Sequence, residues 1–362
     1  MQKNKKTVVL GMSGGVDSSV AAVLLLREGY DVRGVYMKNW SKDLPSMRCP
    51  WARDLADAKR TAVRLGLPFE VWDFEEEYRK SVVDYMLTAY ADGETPNPDV
   101  MCNQMIKFDA FARKAFASGA DYIATGHYAR VSDNGELMMA RDAKKDQTYF
   151  LCRVSSDVLR RTLFPVGELL KTEVKEIAAS EGLDAINKKE SMGVCFVGEA
   201  NIKEFLREFL PAEAITTGRV VDIDSGEVMG YHDGQLFYTI GQRHGLYLTS
   251  DLPYYVVVKN VNDSDIFVTH NLNHPNLWTR ELLLKNVHNI SGLDLESGKY
   301  FIRVRHQAPL VEATFDAVDK KIIFADDQKM VASGQTVAFY SASTDGVCLG
   351  GGIVSSDGNS TK

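Results

Sequence analysis

Residues Gly11–Ser18 read GMSGGVDS and follow directly on the apolar run Thr7–Leu10. A helix-like segment, Ser19–Arg27, comes straight after. A strand, a glycine–serine turn and a helix in that order constrain the fold more than any other feature of the chain. The glycines let backbone N–H groups approach an anion, and the helix N-terminus adds its partial positive charge. The turn lacks the GK[ST] ending of a Walker loop and the GxGxxG spacing of a dinucleotide-binding turn. It reads as a phosphate cradle of another kind, with an ordinary Gly-rich turn as the alternative.

The segments that follow alternate. Val32–Met37 and Pro68–Phe74 read as strands, Ala52–Leu65 as an amphipathic helix, and a long helical pattern runs on through Tyr90. A helix over Lys107–Ser118 then leads into the apolar strand Tyr122–Thr125. Such alternation predicts an α/β domain, a parallel sheet covered by helices on both faces. Ligands sit beyond the carboxyl ends of strands in these sheets, where the Gly-rich turn and the tail of Tyr122–Thr125 would lie. After about residue 200 the character changes. From Gly218 onward, short strands separated by DSGE, HDGQ, NDSD, DLESG and SGQ predict small β barrels. The polar stretch His270–Leu277 predicts a domain boundary.

At 362 residues the chain is long enough for two or three domains. No apolar stretch approaches bilayer length, and the first strand leaves no room for a signal peptide, so a cytoplasmic protein without a membrane partner is expected. Five widely spaced cysteines form no CxxC pair, which disfavours zinc ribbons and iron–sulfur ligation and leaves no dedicated metal site expected. A net charge of −7 argues against a broadly basic nucleic-acid coat but leaves local clusters such as Lys144–Lys145 and Arg303–Arg305.

Two cysteines stand in suggestive settings. In Thr95–Phe108, TPNPDVMCNQMIKF, prolines beside asparagines favour a rigid, non-helical segment, with Asp99 and Cys102 at its end just before a helix. A thiol near a helix N-terminus is more nucleophilic, and Asp99 would serve as an acid or base; a buried inert Cys beside a capping Asp is the alternative. Cys195 lies in ESMGVCFVGE between Gly193 and Gly198, as in an exposed loop. Together the pair suggests sulfur chemistry, one sulfur carried as a persulfide and the other thiolate breaking the S–S bond.

SGGVDS is the SGGxDS pattern of the PP-loop ATP pyrophosphatases, which release pyrophosphate after forming an adenylated intermediate. The whole chain resembles the bacterial-type tRNA-specific 2-thiouridylases. The resemblance runs in order through GMSGGVDSS, MKNW, TPNPD, CNQMIKF, ATGHY, KDQTYFL, LFPVGEL, GVCFVGE, TIGQRHGL and CLGGGI. It implies a PP-loop domain (1–199), a small β-rich central domain (200–275) and a C-terminal β-barrel (276–355). It also implies an ATP-dependent sulfurtransferase that adenylates C2–O of the wobble uridine and then delivers sulfur. By position, Gly11, Met12, Ser13, Gly14, Gly15, Val16, Asp17 and Ser18 would hold the ATP phosphates, with Mg²⁺ accompanying ATP, and Met37 and Gly126 would line the adenine pocket. Asn97, Pro98 and Asp99 would lie against the target base. His127, Lys145, Asp146, Gln147, Arg305, His306 and Gln335 would contact tRNA. Cys102 matches the nucleophile and Cys195 the persulfide carrier, so a Cys102–Cys195 disulfide would follow each turnover. The implied partners are tRNA and a persulfide-donating protein, with the chain itself a monomer. Family members commonly carry an aromatic residue where this chain has His306.

Overall fold

The structure, a computed structural model, describes residues 5–45, 48–188, 202–246, 248, 250, 252–260, 263–343 and 346–356. Its first half contains strands β1 (Thr7–Gly11), β2 (Asp31–Lys38), β3 (Phe69–Asp73), β4 (Tyr122–Ala124), β5 (Arg130–Val131), β6 (Leu137–Met138) and β7 (Thr162–Leu163). Five of them form a parallel sheet in the order β3-β2-β1-β4-β7. Val8, Val9 and Leu10 of the central β1 are all buried, because helices cover both faces; the segment therefore reads as a continuous apolar run without alternation. Helix α1 (Val16–Arg27) presses on the sheet with small residues, Ala21 and Ala22 among those fully buried. Helix α2 (Trp51–Leu65) buries only a stripe, Ala58, Thr61 and Ala62, as its amphipathic sequence requires. The order reverses at β1, with β2 and β3 on one side and β4 and β7 on the other. That reversal leaves a crevice at the carboxyl ends of β1 and β4.

One local expectation is corrected. The helix expected from Lys107 begins at Pro98 and runs over residues 98–117, with a π-helical register across Cys102–Ala110. Asn97 is its N-cap, accepting from the Val100 N–H at 3.3 Å, and Pro98 occupies the first helical position, where a missing N–H costs nothing. The Asn–Pro pair is a helix start, not a helix breaker.

The second half opens with a helix, Ile202–Phe209, whose Phe205 and Phe209 rings pack on Trp40 at 6.0 and 5.7 Å. Strands β8 (Gly218–Asp222), β9 (Val228–His232), β10 (Tyr255–Asn260) and β11 (Asp265–Thr269) follow in the order β10-β11-β8-β9. Strands β12 (Trp278–Asn289), β13 (Gly298–Arg303), β14 (Val311–Asp316), β15 (Lys321–Lys329), β16 (Thr336–Tyr340) and β17 (Val347–Val354) make an antiparallel barrel. It closes because the long β12 pairs with β15 as far as Leu283 and with β17 from Leu284 onward, the second pairing interrupted by a register shift between Lys285 and His288. Leu282, Ile302, Phe315, Ile322, Phe324, Val337 and Phe339 fill the interior.

Unexpectedly from the sequence, β5 and β6 leave the first half and extend this barrel, with β6 pairing on β17. A buried ion pair fastens the same junction. Asp146, its side chain 1% exposed, accepts from Arg303 Nη1 at 2.7 Å, from Thr148 Oγ1 at 2.8 Å and from the Ala140 N–H at 3.0 Å. Removing one partner strands the other charge in a low-dielectric interior. Arg303→Leu should therefore lose about 3–5 kcal/mol of stability, and adding Asp146→Leu should recover most of it. Denaturant unfolding of the two single variants and the double variant measures the coupling.

Candidate active site

The turn after β1 is built as its sequence demands. The Met12 N–H continues the ladder to the Val35 carbonyl at 2.8 Å, and then the chain departs from the sheet. Gly14 has φ +76°, and a Cβ there would collide with the Asp54 carbonyl and lie 2.9 Å from Asp57 Cβ on α2. Gly15 caps α1 without a side chain, so the first-turn N–H groups of α1 are left to an anionic ligand. Ser13 is exposed, its Oγ 3.2 Å from Ser18 Oγ, and Ser18 Oγ donates back to the Gly15 carbonyl at 3.1 Å. Val16 is buried beneath the turn.

Three side chains from elsewhere converge here that sequence reasoning did not single out. Lys171 Nζ donates to both carboxylate oxygens of Asp17, at 2.7 and 2.9 Å, and the Tyr128 hydroxyl donates to Oδ1 at 2.9 Å. Lys188 Nζ pairs with Asp54 at 2.7 Å and Asp57 at 2.8 Å, and reaches the Gly14 carbonyl at 3.4 Å. Met37, at the end of β2, lies against Gly11, where an added Cβ would sit 2.9 Å from Met37 Cε.

The second cluster adjoins the first through two consecutive residues. Gly126, just past β4, packs so tightly on α1 that a Cβ there would sit 2.6 Å from the Ser18 nitrogen. His127 turns the other way, toward the 98–117 helix, its ring 5.9 Å from Phe108. His127 Nδ1 lies 2.8 Å from Thr125 Oγ1, and Nε2 lies 3.5 Å from Lys107 Nζ. Burial, reinforced by the Lys107 charge, holds the imidazole pKa well below its usual value, so the ring is neutral. Burial raises the Asp99 carboxyl above the ordinary carboxylate range, with Lys107 opposing. Cys102 is buried, 2% exposed, one turn beyond Asp99, and Asn103 Nδ2 donates to the Asp99 carbonyl at 3.1 Å. Lys107 was also missed. Its membership in this cluster depends on the π-helical register and on the return of the chain at His127, neither of which leaves a spacing in the sequence. Cys195 lies outside the described residues.

The residues expected to meet RNA fall into two groups. Lys145 and Arg305 lie on neighbouring segments, since Gln307 Nε2 donates to the Lys144 carbonyl at 3.1 Å and the His306 ring stacks on Phe150 at 4.3 Å. Arg305 is exposed and Lys145 half-buried. Asp146 is committed to Arg303, and Gln147 Oε1 accepts from the Tyr128 N–H at 2.9 Å, so both side chains serve the protein's own packing. Gln335 Nε2 donates to the Thr95 carbonyl at 2.7 Å, just ahead of Asn97 and Pro98. Of the other cysteines, burial pushes the Cys152 thiol up to about 12 and Cys348 well above its usual value, which keeps both thiols protonated and inert.

A glycine–serine turn at the switch point of a parallel sheet, open at a helix N-terminus and joined to an Asp–Cys helix, defines a nucleotide-binding α/β domain of the activating class, here carrying two β-rich appendages. Residues 6–199 match the tRNA methyl transferase HUP domain family, 203–270 the tRNA methyl transferase PRC-barrel domain family, and 279–354 the aminomethyltransferase beta-barrel domain family. The tRNA-specific 2-thiouridylase MnmA of Listeria welshimeri is 43% identical over 356 residues, covering 96% of this chain and 94% of that protein. The protein of the same name from Pseudomonas savastanoi pv. phaseolicola is 42% identical over 362 residues, with 96% and 94% covered. A 4-thiouridine synthetase–RNA complex with bound ATP superposes with a TM-score of 0.36 at 19% identity, over 58% of this chain and 53% of that one, too loosely to carry weight. The chain belongs to the tRNA-specific 2-thiouridylase family. No helix among the described residues is long and apolar enough to cross a membrane.

The geometry of the turn makes Gly14→Ala a sharp test. The added methyl must displace α2 while the backbone holds a left-handed conformation. Nucleotide affinity, read by calorimetry, should fall at least about 100-fold, since a displacement near 1 Å can cost that much. The far-ultraviolet circular dichroism should stay that of the parent.

Proposed function

We propose that this chain is an ATP-dependent tRNA sulfurtransferase that converts the wobble uridine of tRNA anticodons to 2-thiouridine. The observation that carries this is the adjacency of the two clusters: Gly126 rests on the phosphate turn while His127 faces the helix of Asp99 and Cys102. The HUP-domain family carries methyl transfer in its description. A pyrophosphate-releasing phosphate cradle supports the thiolating reading that the relatives' name gives.

In this reading the amides of residues 11–18 hold the ATP phosphates. Asp17, fixed by Lys171 and Tyr128, would offer a carboxylate to the Mg²⁺ that accompanies ATP, which would offset developing phosphate charge. Met37 and Gly126 flank the adenine. The C2 oxygen of uridine attacks the α-phosphate, pyrophosphate leaves, and the base is adenylated. Asn97, Pro98 and Asp99 lie against that base, with His127 beside it. A persulfide on Cys195, loaded by a donor protein, then supplies sulfur to C2, either directly or after Cys102 attacks the S–S bond and frees sulfide. In both routes AMP leaves C2, and the electron pair that reduces the transferred sulfur comes from forming the Cys102–Cys195 disulfide. Lys145, Arg305, His306 and Gln335 contact tRNA, with Asp146 and Gln147 holding that surface from behind. Extruding the base costs a few kcal/mol, at the low end because an anticodon loop is single-stranded. The PP-loop domain spans 1–199, the central domain 200–275 and the barrel 276–355, in a monomer working in the cytoplasm.

Nucleoside mass spectrometry tests this directly. With tRNA, ATP and a protein persulfide donor, the parent chain should form 2-thiouridine. Cys195→Ser should release pyrophosphate yet form none, and Cys102→Ser should accept the persulfide and stall. Full thiolation by Cys195→Ser, or methylated uridine as the product, would sink the proposal.

Asp99 gives a second test. As the group that takes a proton from the base, it should contribute about 10²–10⁴-fold to the rate. Asp99→Asn should lose that much at saturating tRNA while binding tRNA nearly as well. Because burial raises the Asp99 carboxyl and only its ionised form accepts a proton, the parent rate should fall on acidification at a pH above the usual value of about 3.9, and this acid limb should vanish in Asp99→Asn.

A further inference from the structure

Five residues, 92–96, lie between the helix ending at Ala91 and the Asn97 cap of the 98–117 helix, and both accessory domains hold the middle three. Lys259 Nζ on β10 donates to the Gly93 carbonyl at 2.6 Å. Lys285 Nζ on β12 pairs at 2.6 Å with Glu94, whose side chain is 7% exposed. Thr95 donates its N–H to the Ser333 carbonyl at 2.8 Å and accepts from Gln335 Nε2 at 2.7 Å; its hydroxyl lies 3.2 Å from Thr239 Oγ1. Thus the central domain and the barrel each grip the strip of chain that leads into Asp99 and Cys102.

The grip is costly in one place. Lys259 meets a carbonyl rather than a carboxylate, and burial pushes its ammonium down to about 8. An apolar side chain would stabilise such an interface better. A directed N–H donor on a backbone carbonyl instead fixes the position of that backbone.

We propose that Lys259 and Lys285 are positioning residues, which act through Gly93–Thr95 to place the start of the 98–117 helix against the phosphate turn. The accessory domains then contribute to thiolation by setting where Asp99 and Cys102 stand, in addition to any RNA they hold. This inference rests on the function proposed above.

Lys259→Met and Lys285→Met test it, with two independent readouts. The first is hydrogen exchange of the backbone amides, which needs no activity. Exchange should rise at the amides of residues 99–103 in each variant and stay unchanged in α1. The second is single-turnover thiolation at saturating tRNA. The rate should fall about 10–100-fold, the scale of a misplacement near 1 Å, with tRNA Kd and ATP KM within about twofold of the parent. The charge-swapped pair Glu94→Lys with Lys285→Glu should recover rate relative to either single variant. Unchanged exchange at 99–103 would overturn the proposal, as would weakened tRNA binding with an unaltered saturated rate. Should the parent itself fail to thiolate tRNA, the functional reading falls while the exchange pattern still decides whether the struts position the helix.

Discussion

The site depends on one close approach. Gly126 lies against the first turn of α1 with no room for a Cβ beside the Ser18 nitrogen. Because β4 ends at that contact, the next residue, His127, is delivered to the 98–117 helix, and Lys107 and Phe108 gather around it. A larger residue at 126 would push β4 away from α1, and the phosphate turn and the Asp99–Cys102 helix would separate together. Chemistry that couples ATP to a second substrate needs the two within a few ångströms of each other. Here that coupling comes from two successive residues at the carboxyl end of one strand.

A chain with net charge −7 can still recognise RNA, because what matters is where the charge is placed. The turn after β13 brings Arg305 beside the 144–150 segment, and this arrangement is secured from within by Asp146 and Arg303 and by the His306 ring on Phe150. The buried pair adds little stability over an apolar replacement, but it fixes how the barrel meets the first domain. The β5–β6 hairpin, paired on β17, makes the same join through backbone bonds. The surface that carries Lys145 and Arg305 thus belongs to neither domain alone.

The features legible in the sequence were local ones. β1, the glycine turn and α1 follow from apolar pattern and turn chemistry, and four strands of the parallel sheet follow from alternation, whereas the two-residue edge strand β7 is too short to leave a pattern. The start of the 98–117 helix was not, because Asn97–Pro98 has the composition of a breaker and becomes a cap only when the following turn closes. Lys171 joins Asp17 across 154 positions and Lys188 joins Asp57 across 131. No period or motif connects residues so far apart; the sheet order does. The β5–β6 hairpin escaped the sequence analysis, and the strand it joins is more than 200 residues away, where pairing partners are set by tertiary packing.

Burial drives Asp99 and His127 toward their neutral forms from opposite directions, one carboxyl raised and one imidazole lowered. Lys107 supplies charge between them, opposing the first shift and reinforcing the second. This matters for a base that is to be adenylated through its C2 oxygen. Uridine carries a proton on N3, and that proton must leave for the C2 oxygen to become a good nucleophile and for the adenylated base to be neutral. A carboxylate whose pKa has been raised is the stronger base, and one still ionised at working pH can take that proton. The Lys107 charge opposes the upward shift at Asp99 and so favours its ionised form. His127, neutral and tied to Thr125 through Nδ1, can hydrogen-bond the base without adding a second positive charge that would hold the N3 proton's acceptor in check. The same low-dielectric surroundings strengthen each of these contacts, so a small shift of the helix start changes the proton transfer more than it changes binding.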